Sequence, residues 1–289
     1  MLIVNPFSGR TATAAGQIAA AGLDRARFLM KDAVTVIGID VAAVRPSTAV
    51  ALRVGRTAHV VEWMEADHRQ PDQVAAMMAW ITRHTPAVVA IDAPQGFKRS
   101  FRRAGAAPAA RPAPRRRAPD TTTPAAPSSR ACDRELLARR ISLYPVPSRA
   151  AVASGESRLP DWMGAGFDYF RRLRLAGFEI PDEAVMPGML GGPAAAIEVY
   201  PYGAFAALLG GLPPKKTTRA GQRIRVLTLR RAGLDWDEYF DHDSLDALAA
   251  ALTAWRFVQG RATPLGDPRE GLIWLPVPRA EVRDTYSGV

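Results

Sequence analysis

Two aspartates stand at the ends of apolar runs. Asp40 lies near the end of the run at 34–41, and Asp92 ends the run at 87–92. Both runs are short and rich in β-branched residues, so each predicts a buried strand that carries a carboxylate at its C-terminal end. Open α/β sheets place their chemistry at this edge. We therefore expect the two carboxylates to emerge side by side from adjacent parallel strands.

Three further acids complete the candidate set. Glu198 lies near the end of a third apolar run, at 194–200. Asp243 and Asp246 are three residues apart at the start of a strong helical pattern, at 244–257. Residues three apart share one face of a helix, so these two carboxylates are expected to point the same way.

Clustered carboxylates repel each other unless a cation neutralises them, and hard divalent cations bound through oxygen are the usual partner. Two such ions, about 4 Å apart, activate water and stabilise the leaving oxygen in phosphodiester hydrolysis. Carboxylates without histidine partners fit Mg²⁺ or Mn²⁺ better than zinc. We expect Asp40, Asp92 and Asp246 to be the metal ligands. Asp243 or Glu198 would be a fourth ligand or the base that orients water.

Each acid also has an ordinary structural explanation. Strand-end aspartates often form turns or cap helices. Asp243 or its neighbour Ser244 can cap the helix that follows, and Glu198 can pair with an arginine. Asp246 is harder to explain in this way, because its neighbours are small and apolar. The joint pattern favours one shared site.

Basic residues form two clusters. Residues 98–117 carry eight cationic side chains and no acid, against a net charge of +10 for the whole chain. A phosphate-contacting arm and a solvated insert explain this stretch equally well. The second cluster follows the third apolar run. With one arginine from the insertion, it supplies the candidates for substrate phosphate binding: Arg130, Lys215, Lys216, Arg219 and Arg223.

The basic clusters imply a nucleic acid, DNA or RNA, as the partner. Arg130 has a second explanation, because it can pair internally with Asp133. A single cysteine excludes a disulfide framework within the chain, and four histidines without metal-site spacing argue against zinc hydrolase chemistry. No apolar run reaches the roughly 18 residues of a membrane span. The first 32 residues lack a signal-peptide core, so a cytoplasmic protein is expected.

The order of predicted elements indicates an α/β fold with a mixed sheet. Short links join the first three strands, which should be antiparallel, and a helix returns the chain so that the fourth strand runs parallel to the first. Strands are predicted at 34–41, 47–54, 57–64, 87–92 and 194–200, and helices at 73–84, 130–140, 160–177, 220–231 and 244–257. Residues 272–275 are a candidate edge strand.

A single core domain is expected at 33–289, preceded by a weakly structured extension at 1–32. Residues 97–190 form an insertion between the fourth and fifth strands. Within it, 98–129 is a low-complexity basic loop that we expect to be disordered, and the remainder is largely helical.

Six ordered motifs resemble the domain-of-unknown-function 429 family. They are GID at 38–40, IDAPQGF at 91–97, RACD at 130–133, EVYP at 198–201, the basic run at 215–223 and DSLDALAAALTA at 243–254. Members of that family are predicted RNase H-like nucleases. The resemblance implies a five-stranded mixed sheet in the order 3-2-1-4-5, with strand 2 antiparallel, flanked by helices.

The acid pair that opens the last motif is also similar to the final motif of RuvC-type resolvases, which implies that Asp243 and Asp246 lie beside Asp40. One departure from the family pattern follows the first acid, where members usually have a glycine-rich turn and this chain has Val41-Ala42-Ala43. Two other functions remain open. One is a phosphate-handling enzyme of the actin-like ATPase superfamily, and the other is a non-catalytic nucleic-acid-binding module.

Overall fold

The computed structural model of the chain describes residues 34–97, 129–181, 194–236 and 241–288. The predicted N-terminal extension lies outside these ranges, and so does the predicted basic loop apart from its last residue. The parts that carry the predicted acids are all described.

A mixed sheet forms the centre of the domain. Its five main strands are β1 Val34–Asp40, β2 Ser47–Val54, β3 Ala58–Ala66, β4 Val88–Asp92 and β5 Ala195–Val199. Strand β2 is antiparallel to both β1 and β3, whereas β1, β4 and β5 run parallel to one another. The order 3-2-1-4-5 of an RNase H-like sheet is therefore confirmed.

Three short strands widen the sheet to eight strands within the described residues, in the order β6-β3-β2-β1-β4-β5-β8-β7. They are β6 Leu234–Asp235, β7 Thr263–Leu265 and β8 Ile273–Leu275. The predicted edge strand at 272–275 corresponds to β8. Strands β6 and β7 were not predicted, because two or three residues are too few to show an alternating pattern.

Helices cover both faces of the sheet. They are α1 Pro71–Arg83, α2 Ala131–Ala138, α3 Arg149–Ala153, α4 Asp161–Leu175, α5 Pro201–Leu209, α6 Arg219–Arg231 and α7 His242–Val258, with a 3₁₀ turn at Arg279–Glu281. The five predicted helices are all present. None of the described helices combines the length and the apolar character that crossing a bilayer requires.

Helices α3 and α5 were not predicted. Helix α5 follows β5 directly, with Pro201 in its first turn and Gly210 in the left-handed conformation (φ 68°) after its last residue. Proline and glycine are favoured at these two ends of a helix. Most of its residues are buried and apolar, so its sequence has no polar face that would reveal a helical period.

The alanine-rich helix α7 lies directly against β1. A Cβ atom added at Gly38 would lie 2.2 Å from the carbonyl oxygen of Ala247 and 2.3 Å from the amide nitrogen of Ala251. Only glycine on the strand, together with small residues on the helix, permits this close approach. Because the helix backbone lies so near β1, the acids in the first turns of α7 are brought to the strand end that carries Asp40.

Candidate carboxylate site

Asp40 and Asp92 are paired residues at the C-terminal ends of parallel strands. The register of β1 and β4 places Asp40 beside Asp92, as the sequence predicts. The two carboxyl groups are within hydrogen-bonding reach of each other. Asp40 is buried, and Asp92 is partly exposed. The sheet edge therefore presents two acids as one unit.

Helix α7 supplies the second pair of acids. Its N-cap is Asp241, whose Oδ1 accepts hydrogen bonds from the amide and the hydroxyl of Ser244, each at 2.9 Å. The alternative that Asp243 or Ser244 caps this helix is therefore wrong, because Asp241 already satisfies the free amide. Asp243 and Asp246 are both buried on the side of α7 that faces the strand ends.

Lys216 joins the two acids of α7. Its Nζ lies 2.6 Å from Oδ2 of Asp246 and 3.5 Å from Oδ1 of Asp243. Burial would lower the pKa of Lys216, but the negative charges of Asp246 and Asp40 outweigh it and raise that pKa above its usual range. The ammonium group is therefore charged and supplies part of the positive charge that the cluster needs.

Asp246 keeps one oxygen free. Its Oδ1 is buried and has no hydrogen-bond partner among the described residues, and Nε of Arg225 lies 3.9 Å from it. An unsatisfied buried carboxylate oxygen is costly. Such an atom, beside the paired acids of the strands, is suited to a hard divalent cation.

Burial raises the pKa values of three of these acids, and for Asp40 and Asp92 repulsion between the carboxylates adds to this. Burial, followed by the charge of Asp246, raises the pKa of Asp40 to about 8. Burial and the charge of Asp40 raise the pKa of Asp92 well above its usual range. Burial also raises the pKa of Asp246, although Lys216 opposes this shift. The cationic side chains of the cluster therefore do not supply enough positive charge for all of its carboxylates to ionise at their usual pKa values.

No group of three or more histidine, cysteine or acidic side chains within the described ranges forms a ready-made metal site. The donors nevertheless fit magnesium or manganese. All are carboxylate oxygens, two of the acids share a hydrogen bond, and one buried oxygen is unpartnered. Oxygen-only donor sets of this kind favour Mg²⁺ and Mn²⁺ over zinc.

The unfolding free energy of the metal-free protein is expected to fall as the pH rises from about 4 to about 8. Asp40 has a pKa of about 8 when folded and an ordinary value of 3.8. The folded state therefore binds more protons in this window, so this contribution to stability is complete below pH 3.8 and is lost as the pH rises through 8. One pKa unit corresponds to about 1.4 kcal/mol, so the loss is at most about 6 kcal/mol.

Urea unfolding in EDTA at several pH values measures this loss. The difference between wild type and Asp40→Asn isolates the contribution of the cluster from that of other titrating groups. Saturating Mg²⁺ should restore the stability of the wild type at pH 8. A difference that does not change with pH would contradict the assignment.

Two side chains of the site were missed in the sequence. Nη2 of Arg45 lies 2.5 Å from Oδ2 of Asp243, and Nδ1 of His242 lies 2.5 Å from Oδ1 of the same carboxylate. The side chain of Arg45 is 55% exposed, so it reaches the site from the surface. Arg45 belongs to a loop with no periodic pattern. His242 lies between two acids in the sequence, and this neighbourhood was the one sequence feature that could have indicated a place in the site.

Glu198 and Arg130 are bound to each other. Nη2 and Nη1 of Arg130 donate to Oε1 and Oε2 of Glu198 at 2.6 and 2.8 Å, and Nη2 also donates to Oδ1 of Asp133 at 2.9 Å. Glu198 accepts a further hydrogen bond, from the amide of Gln95, at 3.0 Å. The pairing of Glu198 with an arginine and the internal pairing of Arg130 with Asp133 are therefore both confirmed. Arg130 is therefore held by two buried carboxylates, to which it supplies a single positive charge.

One pocket with a volume of about 320 Å³ is lined by most of the predicted site residues. Its lining includes Asp40, Asp92, Arg130, Glu198, Lys216 and Asp243, together with Arg45 and His242. Asp246 does not line the pocket, but it is paired with Lys216, which does. Lys215, Arg219 and Arg223 are exposed and do not line it.

Comparison with known proteins gives a family. No curated protein matches the chain. A similar solved structure is T. thermophilus RuvC in complex with Holliday junction substrate, which is 16% identical with a TM-score of 0.36, over 80% of this chain and 99% of that chain. The family model described as "Protein of unknown function (DUF429)" matches residues 38–270. The chain therefore belongs to the DUF429 family.

Proposed function

We propose that this protein is a metal-dependent nuclease that hydrolyses phosphodiester bonds in DNA or RNA. The convergence of four carboxylates carries the proposal. Asp40 and Asp92 come from adjacent strands, Asp243 and Asp246 come from one helix, and Lys216 lies among them. Acids that originate so far apart in the chain and lie close together in the fold are typical of a site built for cation chemistry.

Asp40, Asp92 and Asp246 would hold Mg²⁺ or Mn²⁺ through their carboxylate oxygens. When bound, the ions would supply an activated water and stabilise the leaving oxygen. Asp243, which His242 and Arg45 hold in place, would orient the water as a fourth ligand or base. The remaining steps depend on side chains that bind the substrate.

Lys216 and Arg45 would bind the phosphate at the reacting bond, because both are cations at the pocket. The exposed Lys215, Arg219 and Arg223 would contact phosphates farther along the strand. The buried pair of Arg130 and Glu198 would support the site structurally, because Glu198 accepts a hydrogen bond from the amide of Gln95 just after β4. In that role Glu198 keeps Asp92 in register and does not contact the substrate.

A cleavage assay on single-stranded DNA, duplex DNA, RNA and branched DNA tests the proposal directly. We expect turnover of at least one substrate with Mn²⁺ or Mg²⁺ and none in EDTA. Salt-dependent binding without turnover would instead identify a non-catalytic binding module. Thermal stabilisation by ATP and Mg²⁺ without cleavage of any nucleic acid would favour the actin-like alternative.

Replacement of Lys216 by glutamine is expected to tighten Mn²⁺ binding about tenfold while slowing cleavage. The ammonium group competes with a divalent ion for the same carboxylates. Two charges about 4 Å apart interact by up to about 4 kcal/mol near a protein surface, and the 40% exposure of this side chain reduces that value. Loss of the phosphate contact would lower the cleavage rate in the same variant.

The adjacent Lys215→Gln is the matched control for manganese affinity, because it removes the same charge from an exposed position outside the pocket. Manganese titration of both variants measures the effect on ion binding, and the cleavage rate of Lys216→Gln relative to the wild type measures the effect on the reaction. Equal manganese affinities of Lys216→Gln and Lys215→Gln would show that Lys216 does not compete with the ion.

A further inference from the structure

An exposed aromatic residue stands beside the carboxylate pocket. Tyr144 lies at the centre of the extended segment 141–148, and it is 78% exposed while lining the pocket. Large apolar side chains that remain exposed at the mouth of a pocket are a frequent mark of a binding surface. Tyr144 has no role in the chemistry proposed above.

The segment that carries Tyr144 is held on both sides. The hydroxyl of Tyr200 donates to the carbonyl oxygen of Ser142 at 2.5 Å, and the amide of Val146 donates to Oδ2 of Asp133 at 3.4 Å. Pro145 and Pro147 restrict the backbone between and beyond these contacts. The ring is therefore presented to solvent from a fixed stretch of chain, which lowers the entropy lost when a ligand stacks on it.

Other apolar side chains extend this surface. Val44, also 78% exposed, lies in the loop after β1 and lines the same pocket, and the half-buried Trp162 lines it from α4. Six large apolar side chains are exposed within the described residues, and two of them are at this pocket. The exposed part of the pocket lining therefore includes apolar and aromatic side chains beside Arg45, whereas the acids of the lining are buried or half-buried.

A ligand that satisfies both parts has a flat apolar ring joined to a phosphate. Nucleotides have this chemistry, and bases stack on exposed aromatic side chains in single-strand-binding proteins. Inside a duplex both faces of a base are already stacked, so a base must be unpaired to reach such a ring. The pocket volume of about 320 Å³ is near the lower limit of small-ligand sites, which are about 300–1,000 Å³.

We propose that Tyr144, Val44 and Trp162 form a subsite for the base of an unpaired nucleotide, which makes single-stranded or locally unpaired nucleic acid the substrate class. This inference rests on the proposed nuclease function, because that function places the phosphate of the same nucleotide at the carboxylates. Tyr144 is the specificity-determining residue of the subsite, and it takes no part in the reaction.

Binding of a 5′-mononucleotide tests the subsite without cleavage, because this probe contains no phosphodiester bond. Its affinity for the full chain in Mg²⁺ is compared with that of ribose 5-phosphate, which lacks the base. We expect the nucleotide to bind more tightly. Tyr144→Ala should weaken nucleotide binding roughly 5- to 150-fold, the range reported by alanine substitution at stacked bases, and should leave ribose 5-phosphate unaffected.

Two variants control for other effects. Tyr144→Phe keeps the ring and should bind like the wild type. Leu175→Ala removes an equally exposed side chain, at 77%, that does not line the pocket, and should change nothing. Equal binding of the nucleotide and ribose 5-phosphate by the wild type, or nucleotide binding unchanged in Tyr144→Ala, would overturn the subsite.

Cleavage separates this inference from the function on which it rests. Preference for single strands over the matching duplex, reduced in Tyr144→Ala, supports both. If the wild type and Tyr144→Ala both cleave single strands and duplex at equal rates, the subsite is overturned and the nuclease function is retained. Base-dependent binding through Tyr144 without any cleavage would support the subsite and overturn the nuclease function.

Discussion

Asp40→Asn is expected to lose metal-dependent cleavage while keeping the fold. Asparagine has the shape of aspartate but no charge, so it removes one ligand and the acidic partner of Asp92. Changes to residues that only support metal ligands lower activity roughly 10- to 100-fold, so loss of a ligand should lower it by more than about 100-fold. The variant should also be more stable than the wild type at pH 8 without metal, because a buried repulsion is gone.

Asp235→Asn is the matched control for this substitution. Asp235 also ends a strand, β6, but it is exposed and does not line the pocket. Cleavage rates of the two variants at saturating Mn²⁺, with circular dichroism as the check on folding, measure the effect. Similar activity in wild type and Asp40→Asn would remove Asp40 from the reaction.

Arg130→Met is expected to destabilise the protein by about 3–5 kcal/mol, the usual cost of removing one partner of a buried ion pair. Arg130 is a fully buried cation, and its guanidinium group holds Glu198 and Asp133, both of which are also buried. Methionine fills similar space but leaves two carboxylates without a cation. The network ties α2 to β5, so its loss should also disturb the turn after β4.

Arg171→Met is the comparison on the surface, because Arg171 pairs with Asp168 where both side chains are substantially exposed. Exposed pairs contribute about 0–1 kcal/mol. Urea unfolding of both variants measures the contrast. Glu198→Gln in the Arg130→Met background should recover part of the lost stability. Equal destabilisation by the two arginine substitutions would show that the buried network does not stabilise the fold.

The fold was predictable because its main signals are local. The runs ending at Asp40 and Asp92 are apolar and β-branched, and short links between the first three strands determine their antiparallel pairing. Helix α5 and strands β6 and β7 were not predicted, because their sequences carry no such local signal. The first is apolar on nearly every side, and the other two are too short for any period to appear.

The site was predictable where position in an element decides the direction of a side chain. Strand ends placed Asp40 beside Asp92, and helical spacing placed Asp243 with Asp246. Loop residues lack such a rule, so the contact of Arg45 with Asp243 was found only in three dimensions. Charge type alone also could not distinguish Lys216, which reaches the acids, from Arg223, which stays exposed. That difference depends on packing of the turn before α6.

Binding of Mn²⁺ at pH 8, followed by electron paramagnetic resonance, tests the central claim that the carboxylates form one metal site. The account predicts saturable binding by the wild type, weakened by more than about tenfold in Asp40→Asn and in Asp246→Asn, and unchanged in Asp235→Asn. Equal binding by the wild type and by both site variants, or no saturable binding by the wild type, would contradict it.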